Sequence, residues 1–163
     1  MKIVVRVVAA VVVSCALALV VLRFTGLDPL DRRPGLWIKG AVATALVNDW
    51  SFTNDARVVV LETRAWYGLP HSVNIGCSSV DGRLYVSSVY PEPTIRPWIG
   101  NLLRDPHVRL RIGEKVYELT VAEVTDPAEK TAVLAAREKK YGQKPPDDLA
   151  QAHIFRVVGQ GPA

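Results

Sequence analysis

Residues 83–113 change their hydrophobic period twice, and this change restricts the possible folds more than any other segment does. Residues 83–90 alternate as in a strand, residues 94–105 follow a helical period, and residues 108–112 alternate again. Apolar side chains at i, i+3, i+4, i+7 and i+8 form one face of an amphipathic helix. That stripe consists of Ile95, Trp98, Ile99, Leu102 and Leu103, and Thr94 is the expected N-cap. The segment therefore predicts strand, loop, short helix and strand, and we expect any cofactor to bind here.

Turn signals on both sides extend this segment into a sheet. Residues 57–65 and 71–80 are rich in β-branched side chains, which favours strands. Asp81-Gly82 predicts a tight hairpin into residues 83–90, because both turn positions require a positive φ. Gly113-Glu114 suits a II′ turn between a strand over residues 108–112 and a strand over residues 116–124. The outer face of the strand over residues 108–112 is cationic. The last predicted strand covers residues 153–158.

A second helix is predicted from Asp126 to about Tyr141. Asp126 is the expected N-cap, Pro127 suits the first helical position, and Gly142 ends the helix. Residues 36–47 are apolar with Gly40 in their middle, so a bulged strand and a short helix both fit, and we favour extended structure. Together these elements predict a mainly β (α+β) fold: a six-stranded antiparallel split β-barrel with two inserted helices that cover its ends.

The N-terminal segment is apolar over residues 3–22, which is about the length that spans a bilayer. We therefore predict a transmembrane anchor over residues 1–24, a juxtamembrane linker over 25–35 and the barrel domain over 36–163. Two processing alternatives to an uncleaved anchor are a cleaved signal peptide and a lipoprotein. Ala16-Leu17-Ala18 resembles a signal-peptide cleavage site, but the apolar run continues past it. Residues 12–15 resemble a lipoprotein box, but the residues after Cys15 stay apolar.

Charge and cysteine content limit the possible partners. Lysines and arginines on the two flanks of the anchor favour a cytoplasmic domain, although long domains also cross membranes regardless of charge. The net charge of +4 comes without a basic run, so nucleic-acid binding is not expected. Cys15 lies in the anchor and Cys77 is alone in the domain, so an intradomain disulfide is excluded and the redox compartment stays open. We predict no metal site.

The order of the predicted elements resembles the pyridoxamine phosphate oxidase-like, FMN-binding split-barrel superfamily. The pattern W-x-x-N-L-x-x-D-P, which starts at Trp98 and ends at Pro106, is similar to the deazaflavin-dependent nitroreductase branch. The chain differs from that branch at ETRAWYGLP, where the family has Thr-x-Gly-Arg-Lys-x-Gly. The resemblance covers residues 57–158. It implies a split barrel, a homodimer, and FMN or a deazaflavin bound in a groove between two barrels.

The resemblance also implies a phosphate site for that cofactor. In the superfamily, the phosphate contacts a cation on the first barrel strand, hydroxyl groups at the end of the third strand, and a cation in the segment that follows. Guanidinium and hydroxyl donors suit a phosphate dianion. In this sequence those places hold Arg64, Ser87, Ser88 and Arg96.

Four further side chains, three aromatic residues and one histidine, are candidate ligand contacts. Trp66 and Tyr67 are loop aromatics available to a ligand, and His71 opens a strand where its ring can donate a hydrogen bond to cofactor or substrate. Trp98 has a ring that can stack on a flavin, but its place on the apolar stripe favours packing in the core. Cys77 is expected to be buried, and Asn101 and Asp105 are expected to brace the short helix.

These patterns support a membrane-anchored, flavin- or deazaflavin-binding oxidoreductase that acts on a small organic acceptor. No catalytic residue is predicted, because the hydride chemistry would be the cofactor's. Two alternatives stay open. One is a dimeric split-barrel binding module without catalysis at the membrane. The other is a haem-binding split barrel with His71, His107 or His153 as the ligand.

Overall fold

The computed structural model describes residues 1–31, 33–89 and 96–161. Short 3-10 turns lie at Ser51–Asn54 and Leu149–Gln151. The helices are α1 (Lys2–Thr25), α2 (Pro97–Arg104) and α3 (Pro127–Tyr141). The strands are β1 (Ala41–Val42), β2 (Val59–Arg64), β3 (Pro70–Ile75), β4 (Cys77–Val80), β5 (Arg83–Ser88), β6 (His107–Ile112), β7 (Lys115–Glu123) and β8 (His153–Gln160).

The strands form one curled sheet in the order β3-β2-β6-β7-β8-β5-β4. Neighbouring strands on this path are antiparallel, and the short β1 pairs in parallel with the start of β7. β3 and β4 lie at opposite ends of the path, although only Gly76 separates them in sequence. The chain therefore brings the two edges together, and the sheet curls into a split barrel. The predicted α+β split barrel is confirmed.

The predicted count of six strands is wrong, because the described chain contributes seven strands to the antiparallel path. The single strand predicted over residues 71–80 is two strands that meet at Gly76. A Cβ atom at Gly76 would lie 3.1 Å from Arg137 Nη1 and 3.1 Å from the Tyr141 hydroxyl, closer than most real Cβ contacts. Glycine thus lets the end of α3 pack against this corner. Because β3 and β4 each alternate as a strand does, alternation alone does not locate the corner at Gly76.

The two predicted hairpin turns and the predicted caps of α3 are confirmed. Asp81 and Gly82 have φ angles of 49° and 73° and close the β4–β5 hairpin, and Gly113, at φ 60°, closes the β6–β7 hairpin. The Asp126 carboxylate accepts a 2.9 Å hydrogen bond from the Glu129 amide at the start of α3. Gly142 ends α3 in the left-handed conformation, with φ 69°. The predicted contributions of Thr94 and Ile95 to α2 lie outside the described residues.

Two clusters of buried apolar side chains pack against the sheet, one on its inner face and one on its outer face. The larger one fills the barrel and includes Trp98, Ile99 and Leu102 of α2, so α2 closes one opening of the barrel. Trp98 is 4% exposed and contacts Phe155 edge-on, with 6.0 Å between ring centroids, which confirms its predicted place in the core. The smaller cluster packs α3 against the outer face of the sheet. It consists of Tyr85, Val124, Val133, Leu134, Ala152 and Ile154.

α1 is a 24-residue apolar helix with a mean hydropathy of 2.8 in its membrane-length window. The structure describes α1 in full, and none of its residues is buried. Its length and composition suit a membrane span, and they suit a signal sequence equally well.

Residues 26–31 and 33–39, which we call the strap, connect α1 to the barrel. The Leu27 amide donates to the Trp37 carbonyl at 3.0 Å, and the Leu36 amide donates to the Leu27 carbonyl at 2.8 Å. Gly35 pairs with Ser72 of β3. Much of the strap overlaps the linker predicted over residues 25–35. It lacks a helix or a regular strand in its described part, yet it is hydrogen-bonded to the barrel.

Candidate functional site

A cavity of about 500 Å³ lies beside the Gly76 corner, at the end of β5. It brings together three of the predicted phosphate ligands, Ser87, Ser88 and Arg96, and we call it the serine cavity. Ser87 and Ser88 are 3% and 5% exposed, so their hydroxyls lie in a largely dry environment. The described lining consists of Asp31, Arg33, Val73, Asn74, Ile75, Gly76, Ser87, Ser88, Arg96, Trp98 and Arg137.

Arg137 is the residue of this cavity that the sequence analysis missed. It is 6% exposed and donates from Nη1 to Ser87 Oγ at 3.3 Å and from Nη2 to Gln143 Oε1 at 3.1 Å. Its guanidinium carbon lies 5.0 Å from the centroid of the Tyr141 ring. The sequence signal was present: Arg137 follows Val133 and Leu134 at i+4 and i+3, on the buried stripe of α3.

The serine cavity has the chemistry of an anion site. Arginines at positions 33, 96 and 137 line it together with a single carboxylate among the described residues, Asp31. Serine hydroxyls and guanidinium groups are strong donors to phosphate oxygens, and low exposure strengthens such bonds. The absence of a side chain at Gly76 keeps space beside the Arg137 guanidinium.

The predicted ligand Arg64 lies elsewhere. A second cavity, of about 410 Å³, occurs where α1 and the strap meet the barrel, and we call it the stalk cavity. Arg64 lines this cavity, with its side chain 68% exposed. The structure therefore does not bring Arg64 together with Ser87 and Ser88. The described lining consists of Arg23, Trp37, Glu62, Thr63, Arg64, Gly68, Pro70, Asp105, His107, Val108, Arg109, Glu118, Leu119 and Gly161.

The other predicted ligand contacts lie near the stalk cavity. Trp66 and Tyr67, in the loop between β2 and β3, are 80% and 56% exposed, and their rings meet edge-on at 5.4 Å. His71 pairs with Thr63 across β2 and β3, and the Thr63 hydroxyl donates to the His71 carbonyl at 3.1 Å. Burial lowers the pKa of the His71 ring, because the imidazolium loses hydration.

Asn101 and Asp105 brace α2, as predicted. Asn101 Nδ2 donates to Thr63 Oγ1 at 2.9 Å, which ties α2 to β2. Asp105 Oδ1 accepts from the His107 amide at 3.2 Å and lies 2.8 Å from His107 Nδ1. Burial favours the neutral form of the Asp105 carboxyl, but the hydrogen bonds from His107 outweigh burial and lower its pKa.

Cys77 is fully buried, as predicted, and burial raises the pKa of its thiol. Lys140 Nζ donates to the Thr53 and Cys77 carbonyls at 2.7 and 2.8 Å, which fastens α3 to β4. Two histidines considered as haem ligands contact carboxylates: His107 contacts Asp105, and His153 Nδ1 lies 3.4 Å from Glu123. Within the described ranges, no cluster of three His, Cys, Asp or Glu side chains has a metal-binding arrangement.

The family model of the F420H2-dependent quinone reductases matches residues 43–144, which is more than half of the chain. The chain belongs to the F420H2-dependent quinone reductase family. The matched range contains Ser87, Ser88, Arg96 and Arg137. A comparison with curated proteins gave no match.

Solved structures show the same fold at low sequence identity. A conserved hypothetical protein from Mycobacterium tuberculosis is 20% identical, with 66% of this chain and 76% of that chain covered and a TM-score of 0.53. An F420H2-dependent reductase is 19% identical over 63% of this chain and 95% of that one, with a TM-score of 0.52. A protein described as a domain-swapped dimer is 20% identical over 63% and 81%, with a TM-score of 0.53. With the family match, these structures confirm the resemblance to the split-barrel superfamily and its deazaflavin branch.

Proposed function

We propose that the protein is a membrane-anchored oxidoreductase that binds the deazaflavin coenzyme F420 and reduces a quinone-type acceptor. The observation that carries this proposal is the family match over residues 43–144. An F420H2-dependent reductase among the structures of the same fold agrees with it. No comparison specifically favours FMN, so FMN serves as the competing cofactor in the test.

The serine cavity fits the phosphate of such a cofactor. Ser87 and Ser88 would donate hydroxyl hydrogen bonds, and Arg137, already 3.3 Å from Ser87 Oγ, would supply a fixed positive charge. Arg96 lines the same cavity and adds charge at its rim. When bound, the deazaflavin supplies the hydride chemistry, and the chain's own residues hold and orient its anionic end. The cofactor roles predicted for Arg64, Trp66, Tyr67 and His71 remain predictions.

The proposal includes the anchor and the assembly. α1 would span the bilayer with the predicted boundaries: anchor over residues 1–24, linker over 25–35 and barrel over 36–163. The flanking positive charges favour a barrel on the cytoplasmic side. The homodimer implied by the superfamily resemblance belongs to the same proposal, and the domain-swapped dimer of a structural relative is compatible with it.

In the test, the full chain in lipid nanodiscs is titrated with F420, and binding is measured from the change in cofactor fluorescence. We expect saturable F420 binding and weaker FMN binding. A double variant, Ser87→Ala with Ser88→Ala, should weaken F420 affinity by at least about 10-fold, since the loss of even one hydrogen bond to a charged group costs roughly 1.5–3 kcal/mol. Arg83→Gln, on the exposed β4–β5 hairpin, is the matched control and should bind normally.

Three results would contradict the proposal in distinguishable ways. Absence of F420 binding to the wild-type chain would exclude the cofactor. A Soret band on titration with haem, without F420 binding, would favour the haem alternative. F420H2 that binds but is not oxidised by any quinone would favour the binding module without catalysis.

A further inference from the structure

The stalk cavity lies at the junction of α1 with the barrel. Arg23, in the last turn of α1, lines it together with Trp37 of the strap and Gly68 of the β2–β3 loop. Lys39 Nζ donates to the Arg23 carbonyl at 2.6 Å, and the Arg23 guanidinium carbon lies 5.9 Å from the centroid of the Trp37 ring. Because α1, described in full, buries none of its residues, it projects from the barrel and contacts it at its C-terminal end.

The carboxylates of this cavity already have partners within the protein. Glu62 lies 3.2 Å from Arg109 Nη1, and Glu118 lies 3.7 Å from Arg109 Nε. Asp105 accepts from the His107 ring at 2.8 Å. Glu62 and Glu118 thus share the Arg109 guanidinium, and Asp105 is hydrogen-bonded to His107.

Two guanidinium groups at the same cavity keep donors that face solvent. The Arg64 side chain is 68% exposed, and its nearest carboxylate oxygen, on Asp105, is 4.0 Å away. Arg23 forms no ion pair with any residue in the described ranges, and its side chain contacts an aromatic ring instead. Two exposed guanidinium groups beside one cavity form a site for a singly charged phosphate.

Large aromatic side chains extend this surface. Trp66 is 80% exposed and Tyr67 is 56% exposed at the tip of the β2–β3 loop, and Phe24 is 78% exposed in the last turn of α1. Exposure of these apolar rings to water is unfavourable in free energy. Tryptophan and tyrosine are enriched at membrane–water interfaces, where the ring contacts lipid and the polar group contacts water.

We infer that the surface formed by Arg23, Trp37, Arg64, Trp66 and Tyr67, which we call the stalk face, rests on the bilayer surface. Arg23 and Arg64 bind the phosphate of an anionic phospholipid there, and the Trp66 and Tyr67 rings lie among the headgroups. This inference rests on the membrane anchor of the proposed function. A phospholipid is the expected ligand because the stalk face is continuous with an apolar helix of membrane-spanning length. The two arginines of the stalk face also carry the positive charge that attracts anionic headgroups.

The first test measures contact between Trp66 and lipid. The full chain is placed in nanodiscs whose lipids carry bromine near the headgroup, and quenching of tryptophan fluorescence is recorded. The chain has four tryptophans, of which Trp50 and Trp98 are buried. Since Trp37 and Trp66 are then the accessible ones, Trp66→Phe should remove roughly half of the quenching. Trp50→Phe is the control and should leave the quenched emission unchanged. Quenching that Trp66→Phe does not reduce would overturn the inference.

The second test measures the dependence on lipid charge. Nanodiscs of phosphatidylcholine are compared with nanodiscs that also contain phosphatidylglycerol. Anionic lipid should increase quenching in the wild-type chain and in Arg83→Gln, an arginine outside the stalk cavity, but not in Arg64→Gln. An undiminished lipid response in Arg64→Gln would contradict headgroup binding. Inorganic phosphate that abolishes the wild-type response at millimolar concentration would show that the cavity takes a free anion instead.

F420 titration of the same nanodiscs separates the two proposals. The lipid readout decides the inference, because Arg64 and Trp66 are also predicted cofactor contacts: Trp66→Phe and Arg64→Gln should lose lipid contact whether or not their F420 affinity changes. Loss of F420 affinity with normal lipid quenching would assign these residues to the cofactor and overturn the inference. Wild-type chain that shows quenching but binds no F420 would refute the cofactor proposal alone.

Discussion

Glu62→Ala should release the strap from the barrel. Glu62 Oε2 accepts the Ile38 amide at 2.6 Å, and the same carboxylate lies 3.2 Å from Arg109 Nη1. Arg109 Nη1 in turn donates to the Ile38 carbonyl at 3.3 Å. The pair therefore satisfies both backbone groups of Ile38, which is fully buried. Removal of the carboxylate leaves the buried Ile38 amide without its acceptor and takes from Arg109 the nearer of its two carboxylate partners.

The size of the effect follows from these contacts. The side chains of Glu62 and Arg109 are 10% and 27% exposed, so water compensates only in part. The Coulomb attraction at this distance is about 5 kcal/mol in a medium of dielectric constant near 20, which is an upper limit. Arg109 also keeps Glu118 at 3.7 Å. We therefore expect Glu62→Ala to lower the free energy of unfolding by about 2–4 kcal/mol, and Glu62→Gln by about 1–2 kcal/mol.

The assay is urea unfolding of the full chain in detergent micelles, followed by the fluorescence of the buried Trp50 and Trp98. Hydrogen exchange at the Ile38 amide should accelerate in Glu62→Ala in proportion to the lost local stability. Glu114→Ala, on the exposed β6–β7 hairpin, is the control and should stay within about 0.5 kcal/mol of wild type. A loss below about 1 kcal/mol, with unchanged Ile38 exchange, would refute the argument that this carboxylate holds the strap.

Three further outcomes are expected. Arg137→Met should weaken F420 affinity in nanodiscs by about 10-fold or more, whereas Arg137→Lys, which keeps the charge, should retain part of it; equal affinities in all three chains would contradict a phosphate role. Gly76→Ala should lower the free energy of unfolding by about 1–3 kcal/mol, because the added methyl group would lie 3.1 Å from Arg137 and Tyr141 atoms; a neutral substitution would show that the corner relaxes freely. For His71, the pKa lies below its ordinary value of 6.5, so the unfolded chain binds more protons near that pH and stability should rise as pH increases through it. Unfolding measured from pH 5 to 8 should show a smaller rise in His71→Gln, and an identical slope would contradict the lowered pKa of the half-buried His71 ring.

Features that depend on neighbours in sequence were predictable. Asp81-Gly82 and Gly113 require positive φ angles, and Asp126 and Gly142 supply the two helix caps, so these turns and ends follow from local backbone chemistry. The apolar period of α2 likewise placed Trp98 in the core. Leu103 is the exception within the described stripe, since it is 54% exposed.

The ion-pair partners of the cationic outer face of β6 could not be predicted from local sequence patterns. Alternation predicted that Arg109 and Arg111 share one face, which is correct, but it gave no partner for them. In the structure, Arg111 forms hydrogen bonds of 2.8 and 2.9 Å to Asp28, and Arg109 contacts Glu62. These carboxylates come from the strap and from β2, at 83 and 47 residues' distance along the chain. A period of two residues carries no information about such separations.

The division of the predicted phosphate site has the same physical origin. Because the chain turns at Gly76, β3 pairs with β2 at one edge of the path and β4 pairs with β5 at the other. Arg64 ends β2 and pairs with Pro70, at the end of β3 that lies away from Gly76, whereas Ser87 and Ser88 end β5. Arg64 is therefore held at the stalk cavity, and the cation that meets Ser87 comes instead from Arg137, on a helix packed against the Gly76 corner. Gly76, which strand alternation does not distinguish from its neighbours, thus leaves the room that Arg137 needs beside the serine cavity.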